Sequence, residues 1–341
     1  MMTINEIPIS EWEESLSDYS FSLFITPPWL SAMENDSCKA IYIDLVKRNQ
    51  VVAKIAGLIT KGHTLKGKQL YFYAAPALKG ANQAVYDECC VALRHYAQNK
   101  GIARLIIGSY DQQNSLLTTA EGFFQTPRYE YVVDFQSGQP IHFSTGFKKN
   151  VKKAEKAGTT FHHDRSLMTL DKMLNLMGVT RDLRELKYGK AYNPFYLPNL
   201  NADSLQRLLD NGMGVMYYTL TDGRVHSVQF NIEYRGKVYG LLMGSDNYAY
   251  QNGLPSFVDY HLIEHYRQHG FIYYNPGGGP EGEGGEGIEK YKKALGGTRI
   301  DMAGATTNFL TIPHNVLNPI MCMGRKLPDN NRVVSFLKSL V

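Results

Sequence analysis

Short apolar and alternating runs, broken by turn residues, fill much of the first hundred positions, and the same succession returns after position 210. Ile41 to Val46 and Val51 to Ile59 read as strands joined by a turn over Lys47 to Gln50, and Gln69 to Ala74 reads as a third strand. A helix follows from about Asn82 to Gln98, with Val85, Cys89, Ala92, Leu93 and Tyr96 on one face. It stops at Asn99-Lys100-Gly101, and Ile102 to Ile107 is the next strand. In the second half, Val215 to Leu220 and Val225 to Glu233 are strands around an Asp222-Gly223 hairpin turn, and Val238 to Met243 is the third. A helix from about Ser256 to His269 places Val258, Leu262 and Tyr266 inward, stops at Gly270, and leads into a strand over Phe271 to Asn275. Ile41 to Val85 spans 44 residues and Met216 to Val258 spans 42, so spacing agrees as well as order. Chance could match the order alone; matched spacing points to duplication of one α/β unit.

Meander strands, then a helix, then a strand beside the third resembles the acetyltransferase-type (GNAT-like) module. The expected fold is α/β (α+β), with two tandem GNAT-like domains, each a mixed, mostly antiparallel sheet flanked by helices. The expected boundaries are 1–142 and 161–341, with a basic interdomain helix at 143–160. This analogy concerns the fold and says little about substrate.

Composition narrows the class. A chain of 341 residues suits two domains, and 43% hydrophobic with 20% charged residues is the balance of a globular protein. Lys and Arg exceed Asp and Glu by only four, so a phosphate or nucleic-acid role needs a local patch. Cys38, Cys89, Cys90 and Cys322 follow no metal spacing, which fits a reducing compartment. The amino terminus lacks the blocks of a signal peptide, and no run of about 18 apolar residues is present. A cytoplasmic protein without an integral membrane segment is expected.

Two segments carry candidate chemistry. Over Phe147 to Lys156, the lysines Lys148, Lys149, Lys152, Lys153 and Lys156 fall within about 140° of arc at helical period, opposite Phe147, Val151 and Ala154. Ser144 or Thr145 can cap this helix and Gly158 can end it. The cationic face suits the phosphates of a nucleotide-bearing ligand or RNA, or is simply a solvated face. The second segment runs from Pro276 to Gly287. Gly282, Gly284 and Gly287 satisfy G-x-G-x-x-G, but Glu281, Glu283 and Glu286 would repel a pyrophosphate, which argues against a dinucleotide. A ligand-covering loop containing Gly277, Gly278 and Gly287 is the expectation, ahead of a helix over Ile288 to Ala294.

With those residues in view, Phe147 to Gly158 resembles the "RRNIRRAEKxG" signature of the FemAB-type transferases. Gly287-Ile288-Glu289-Lys290-Tyr291-Lys292-Lys293-Ala294-Leu295-Gly296-Gly297 resembles their "GLxxFKxxFGG" ending. The resemblance implies tandem GNAT-like domains that attach acyl groups or amino acids to amines, from acyl-CoA or aminoacyl-tRNA, with no tightly bound cofactor and no metal. It implies a small-molecule or peptide amine as acceptor and tRNA as a possible partner. Lys292 matches the family's lysine near the transfer site, and Tyr291 beside it joins the binding set. Asn275 stands where the family often has Asp, which leaves a carboxylate base there in doubt. Thr160 to Gly214 shows no sustained heptads, so the long helical arm of tRNA-using peptidoglycan members is not expected.

Direct attack of an amine on an ester or thioester needs orientation, proton removal and an oxyanion partner. Lys292 is the expected oxyanion partner; Asp246 and Glu281 are candidate bases. Two rivals remain. One is a binding protein on a transferase scaffold. The other is a zinc hydrolase, because His261-Leu262-Ile263-Glu264-His265 matches H-x-x-E-H, although His265 shares the arc of Val258 and Leu262.

Overall fold

The computed structural model describes residues 2–62, 66–112, 114–189, 193–278 and 286–326. Its chain contacts divide into two units, Met1–Arg128 with Asp301–Val341, and Tyr129–Ile300.

The first unit begins with β1 (Thr3–Glu6), α1 (Ile9–Glu14), α2 (Pro27–Met33), β2 (Cys38–Lys47), β3 (Gln50–Thr60), β4 (Gln69–Phe72), β5 (Ala77–Leu78), α3 (Gln83–Asn99) and β6 (Arg104–Ile107). Strands β1, β2, β3 and β4 pair antiparallel in that order, and β4 then pairs parallel with β6. Helix α3 starts at Asn82, whose side chain accepts from the Val85 amide at 3.1 Å. It buries Tyr86, Cys89, Cys90, Leu93 and Ala97 against Ile43, Ile55, Leu70 and Leu105. The inward arc is therefore shifted by about one residue from the expected one: Val85, Ala92 and Tyr96 flank it. The Tyr96 hydroxyl accounts for part of that shift, because it turns outward to Glu6 at 2.8 Å.

The second unit contains the latter half of β7 (Phe123–Asp134), then α4 (Thr145–Lys156), β8 (Thr160–Asp164), α5 (Leu167–Tyr188), α6 (Ala202–Asp210), β9 (Gly214–Thr221), β10 (Arg224–Tyr234), β11 (Lys237–Ser245), α7 (Asn247–Asn252), α8 (Leu254–Gln268), β12 (Tyr273–Gly277) and α9 (Glu286–Ala294). Its strands lie in the order β8-β9-β10-β11-β12-β7; only the β11/β12 pair is parallel. The β9–β10 turn takes positive φ at Asp222 (48°) and Gly223 (71°), the geometry that two-residue hairpins favour. Phe147, Val151 and Ala154 of α4 join Val258, Leu262 and Tyr266 of α8 in one core with Val215, Val238 and Tyr274 of the strands. The segment after Thr160 forms α5, which packs back on the sheet: the Thr180 hydroxyl donates to the Ser245 carbonyl at 2.9 Å. The last elements, β13 (Thr298–Thr307) and α10 (Asn318–Lys326), return to the first unit, where Ala305 pairs with Ile107 of β6.

The parallel β11/β12 ladder is short. It runs from Lys237/Tyr273 to Tyr239/Asn275, whereas β11 continues to Ser245. The next residue of β12 is Pro276, which has no N–H to give the ladder. Beyond Tyr239 the two strands therefore part, and the candidate site lies at that parting. No helix among the described residues is long and apolar enough to cross a membrane.

Candidate active site

Helix α9 carries Glu286 and Glu289 in its first turn and Lys292 and Lys293 in its last, the distribution a helix dipole favours. Lys293 pairs with Glu289 at 2.8 Å on the exposed side. Lys292 turns inward: it is 8% exposed, and its ammonium donates to the Gly278 carbonyl just past β12. Burying an ammonium is costly unless its protons are satisfied, so this position is specified.

Around Gly277 and Gly278 stand three further polar groups. Asn275 is 1% exposed; its Nδ2 donates to Glu130 Oε2 at 2.9 Å, and its Oδ1 accepts from the Gly277 amide at 2.8 Å. Glu130 of β7 is fully buried, and its Oε1 accepts from the Tyr239 hydroxyl at 3.1 Å. Gly277 has φ +77°, and a Cβ there would lie 3.0 Å from the Tyr239 hydroxyl and 3.7 Å from the Lys292 ammonium. Asn275 thus has a physical reason. The carboxylate of this corner comes from Glu130, and an Asp at 275 would set a second carboxylate against it, where an amide N–H forms a bond.

A second layer continues from Lys292's neighbour. The Tyr291 hydroxyl donates to Asp259 Oδ2 at 2.6 Å, and the Tyr274 hydroxyl donates to Oδ1 at 2.8 Å. Asp259 is 3% exposed. Burial pushes its carboxyl above the usual range, against the opposing pull of Tyr291, Tyr274 and Lys292. Gln229 Nε2 donates to the Tyr274 hydroxyl at 2.6 Å and to Asn231 Oδ1 at 3.0 Å.

The remaining sequence candidates fall elsewhere. Asp246 caps α7 by accepting from the Ala249 amide at 2.9 Å, and its other oxygen meets His226 Nδ1 at 2.8 Å. It follows the end of β11 away from Tyr239. Glu281 lies outside the described residues, as do Gly282 and Gly284 of the glycine pattern. Gly287 is exposed in the first turn of α9. On α4, Ser144 Oγ accepts from the Phe147 amide at 3.1 Å. Lys148, Lys149, Lys152 and Lys153 are exposed, and Lys153 donates to the Gln251 carbonyl.

His261 packs against Phe257 (4.3 Å between centroids), Phe161 and Tyr260. His265 packs against His269 at 4.2 Å, and Glu264 pairs with Arg267 at 2.6 Å. Among the described residues no three His, Cys, Asp or Glu side chains gather as a metal site.

Residues 142–293 match the Acetyltransferase (GNAT) domain family. A crystal structure of FemX superposes with a TM-score of 0.67 at 13% identity, covering 93% of this chain and 99% of that one. This is a GNAT/FemAB-like acyltransferase fold. Two further structures share this acyltransferase fold. One is L-PGS from Bacillus licheniformis, with a TM-score of 0.55, 15% identity and coverage of 94% of this chain and 96% of that one. The other is a tandem GNAT protein from the clavulanic acid biosynthesis pathway, with a TM-score of 0.50, 8% identity and coverage of 91% and 99%. No curated protein sequence matches the chain.

Glu130, Tyr239 and Asp259 were not among the sequence candidates. Glu130 lies 145 positions from Asn275 along the chain, and its only local signal is a lone acid between two tyrosines.

Proposed function

We propose that this chain transfers an acyl or aminoacyl group from an activated donor, an acyl-CoA or an aminoacyl-tRNA, to an amine acceptor. The domain match and the fold support a transferase of this type. The observation that carries the reading is the buried Lys292 ammonium at Gly278, beside Asn275, Glu130 and Tyr239, where β11 and β12 part. We read the two units as tandem copies of one module, since each sets an antiparallel meander beside one parallel strand pair.

The amine nitrogen attacks the donor carbonyl carbon and forms the C–N bond. The C–S or C–O bond to the donor then breaks, and the proton lost by nitrogen ends on the leaving sulfur or oxygen. Lys292 offers its charge to the carbonyl oxygen as it becomes an oxyanion. Glu130, Asn275 and Tyr239 hold the Gly277–Gly278 backbone against it. Of the candidate bases, Glu281 remains; Asp246, which caps α7 and pairs with His226 beyond the end of β11, stands away from Tyr239 and is not assigned the step. The exposed lysines of α4 receive the donor's phosphates.

The test is a screen of acyl-CoAs and charged tRNAs against amine acceptors, followed by Lys292→Ala. The expected outcome is a fall in kcat of about 100-fold with KM little changed, on the order of 2.7 kcal/mol of transition-state stabilisation. Turnover equal to that of the parent would remove Lys292 from the mechanism.

A further inference from the structure

Eight buried or half-buried polar side chains form one hydrogen-bonded chain through the second unit. At one end, the hydroxyls of Tyr217 and Tyr266 both donate to Glu233 Oε1, at 2.8 and 2.7 Å. At the other, those of Tyr274 and Tyr291 donate to Asp259, at 2.8 and 2.6 Å. Between them, Asn231 Nδ2 donates to the Tyr266 hydroxyl at 2.9 Å and Gln229 Nε2 bridges Asn231 Oδ1 to the Tyr274 hydroxyl. The two carboxylates fix every donor direction. Each tyrosine proton is committed to a carboxylate, so the Tyr266 and Tyr274 oxygens must accept, and the amides can face only one way. Amide groups donate without passing a proton on, so this chain is a brace and not a proton relay.

The brace ends at the candidate site. Tyr274 immediately precedes Asn275 on β12, and Tyr291 immediately precedes Lys292 on α9. A carboxylate as buried as Asp259 is costly to desolvate unless its oxygens are satisfied, and an apolar pair in its place would serve packing better. We propose that Asp259 is a positioning residue for Lys292, its carboxylate clamping Tyr274 of β12 to Tyr291 of α9 so that the Lys292 ammonium meets the Gly278 carbonyl. The importance of that placement for acyl transfer rests on the function proposed above; the placement itself does not.

The test therefore reads Lys292 directly. The chain is labelled with limiting acetic anhydride across a pH series, and acetylation at each lysine is quantified by mass spectrometry, with the exposed lysines of α4 as internal reference. Tyr291→Phe keeps the ring that faces Phe147 and removes only the hydroxyl. It should raise Lys292 labelling about tenfold or more relative to α4, as expected when a buried amine loses its placement. Asp259→Asn should do the same and lower the pH midpoint of labelling, because a nearby negative charge is gone. Unchanged Lys292 labelling in Tyr291→Phe would overturn the proposal, including in the case where Asp259→Asn does not fold. If labelling changes as expected while no donor supports transfer, the clamp stands and the transferase reading falls.

Discussion

At Gly277 a single missing methyl group holds the corner of the site open. The residue sits at φ +77°, and its absent Cβ would press within 3.0 Å of the Tyr239 hydroxyl, which is bonded to Glu130. Gly277→Ala should lose about 1–2 kcal/mol of stability, part from the left-handed backbone and part from displacing Tyr239. Denaturant unfolding of Gly277→Ala, Tyr239→Phe and the double variant separates the two parts. Removing the hydroxyl should relieve the crowding, so the double variant should lose at least about 0.5 kcal/mol less than the sum of the singles. Strict additivity would mean that Tyr239 is not what the methyl meets. Residues differed in how far the sequence revealed them. Lys292 and Asn275 were legible because they stand in a short motif. Glu130 was not, because its role exists only once β7 lies beside β12. Asp246 was legible as an acid at a strand end, but its bonds to Ala249 and His226 exist only in the folded turn.

At the scale of elements, the strands of both meanders follow from alternation and two-residue turns, and α3, α4 and α8 from their caps and apolar arcs. Strand β7 was hidden by Pro127 in its middle, a residue that argues against a strand when read locally. Helix α8 shows how a motif can mislead. Its H-x-x-E-H pattern lines up histidines, but His261 is wedged among aromatic rings and its Nε2 finds no partner among the described residues. Burial lowers the His261 pKa, opposed by the charges of Glu155 and Glu264. Its folded-state value lies below its unfolded one, so the unfolded chain binds more protons between the two. Stability is then complete above about pH 6.5 and is lost as pH falls through the folded value. The melting temperature should drop between about pH 7.5 and 5.5, and His261→Leu should shrink that drop. A variant as acid-sensitive as the parent would exclude His261 as the cause.

For the whole molecule, charge is nearly balanced, at 36 basic against 32 acidic residues, so long-range attraction to a polyanion has to come from where the charges lie. The exposed lysines of α4 provide the local excess, and Asn150 Nδ2, 3.4 Å from Ser256 Oγ, ties that helix to α8. The nature of the donor should be readable from salt dependence. A charged tRNA that spans several phosphates gives a steep fall of affinity with salt, about 0.9 in logarithmic slope per contact in a duplex and about 0.7 on a single strand; a CoA thioester engages fewer phosphates and falls less steeply. Lys149→Glu with Lys152→Glu is the informative pair, because Lys153 also holds the Gln251 carbonyl and its loss would disturb α7. For a tRNA donor, the double variant should bind at least about tenfold more weakly at low salt and show a slope shallower by nearly two, as two lost phosphate contacts require. For a CoA donor, the parent slope is small from the start, and reversing the two charges lowers affinity without a comparable change in slope. Affinity and slope unchanged with both donors would make the lysine face of α4 a solvated surface, and donor recognition would then have to come from the parted strands alone.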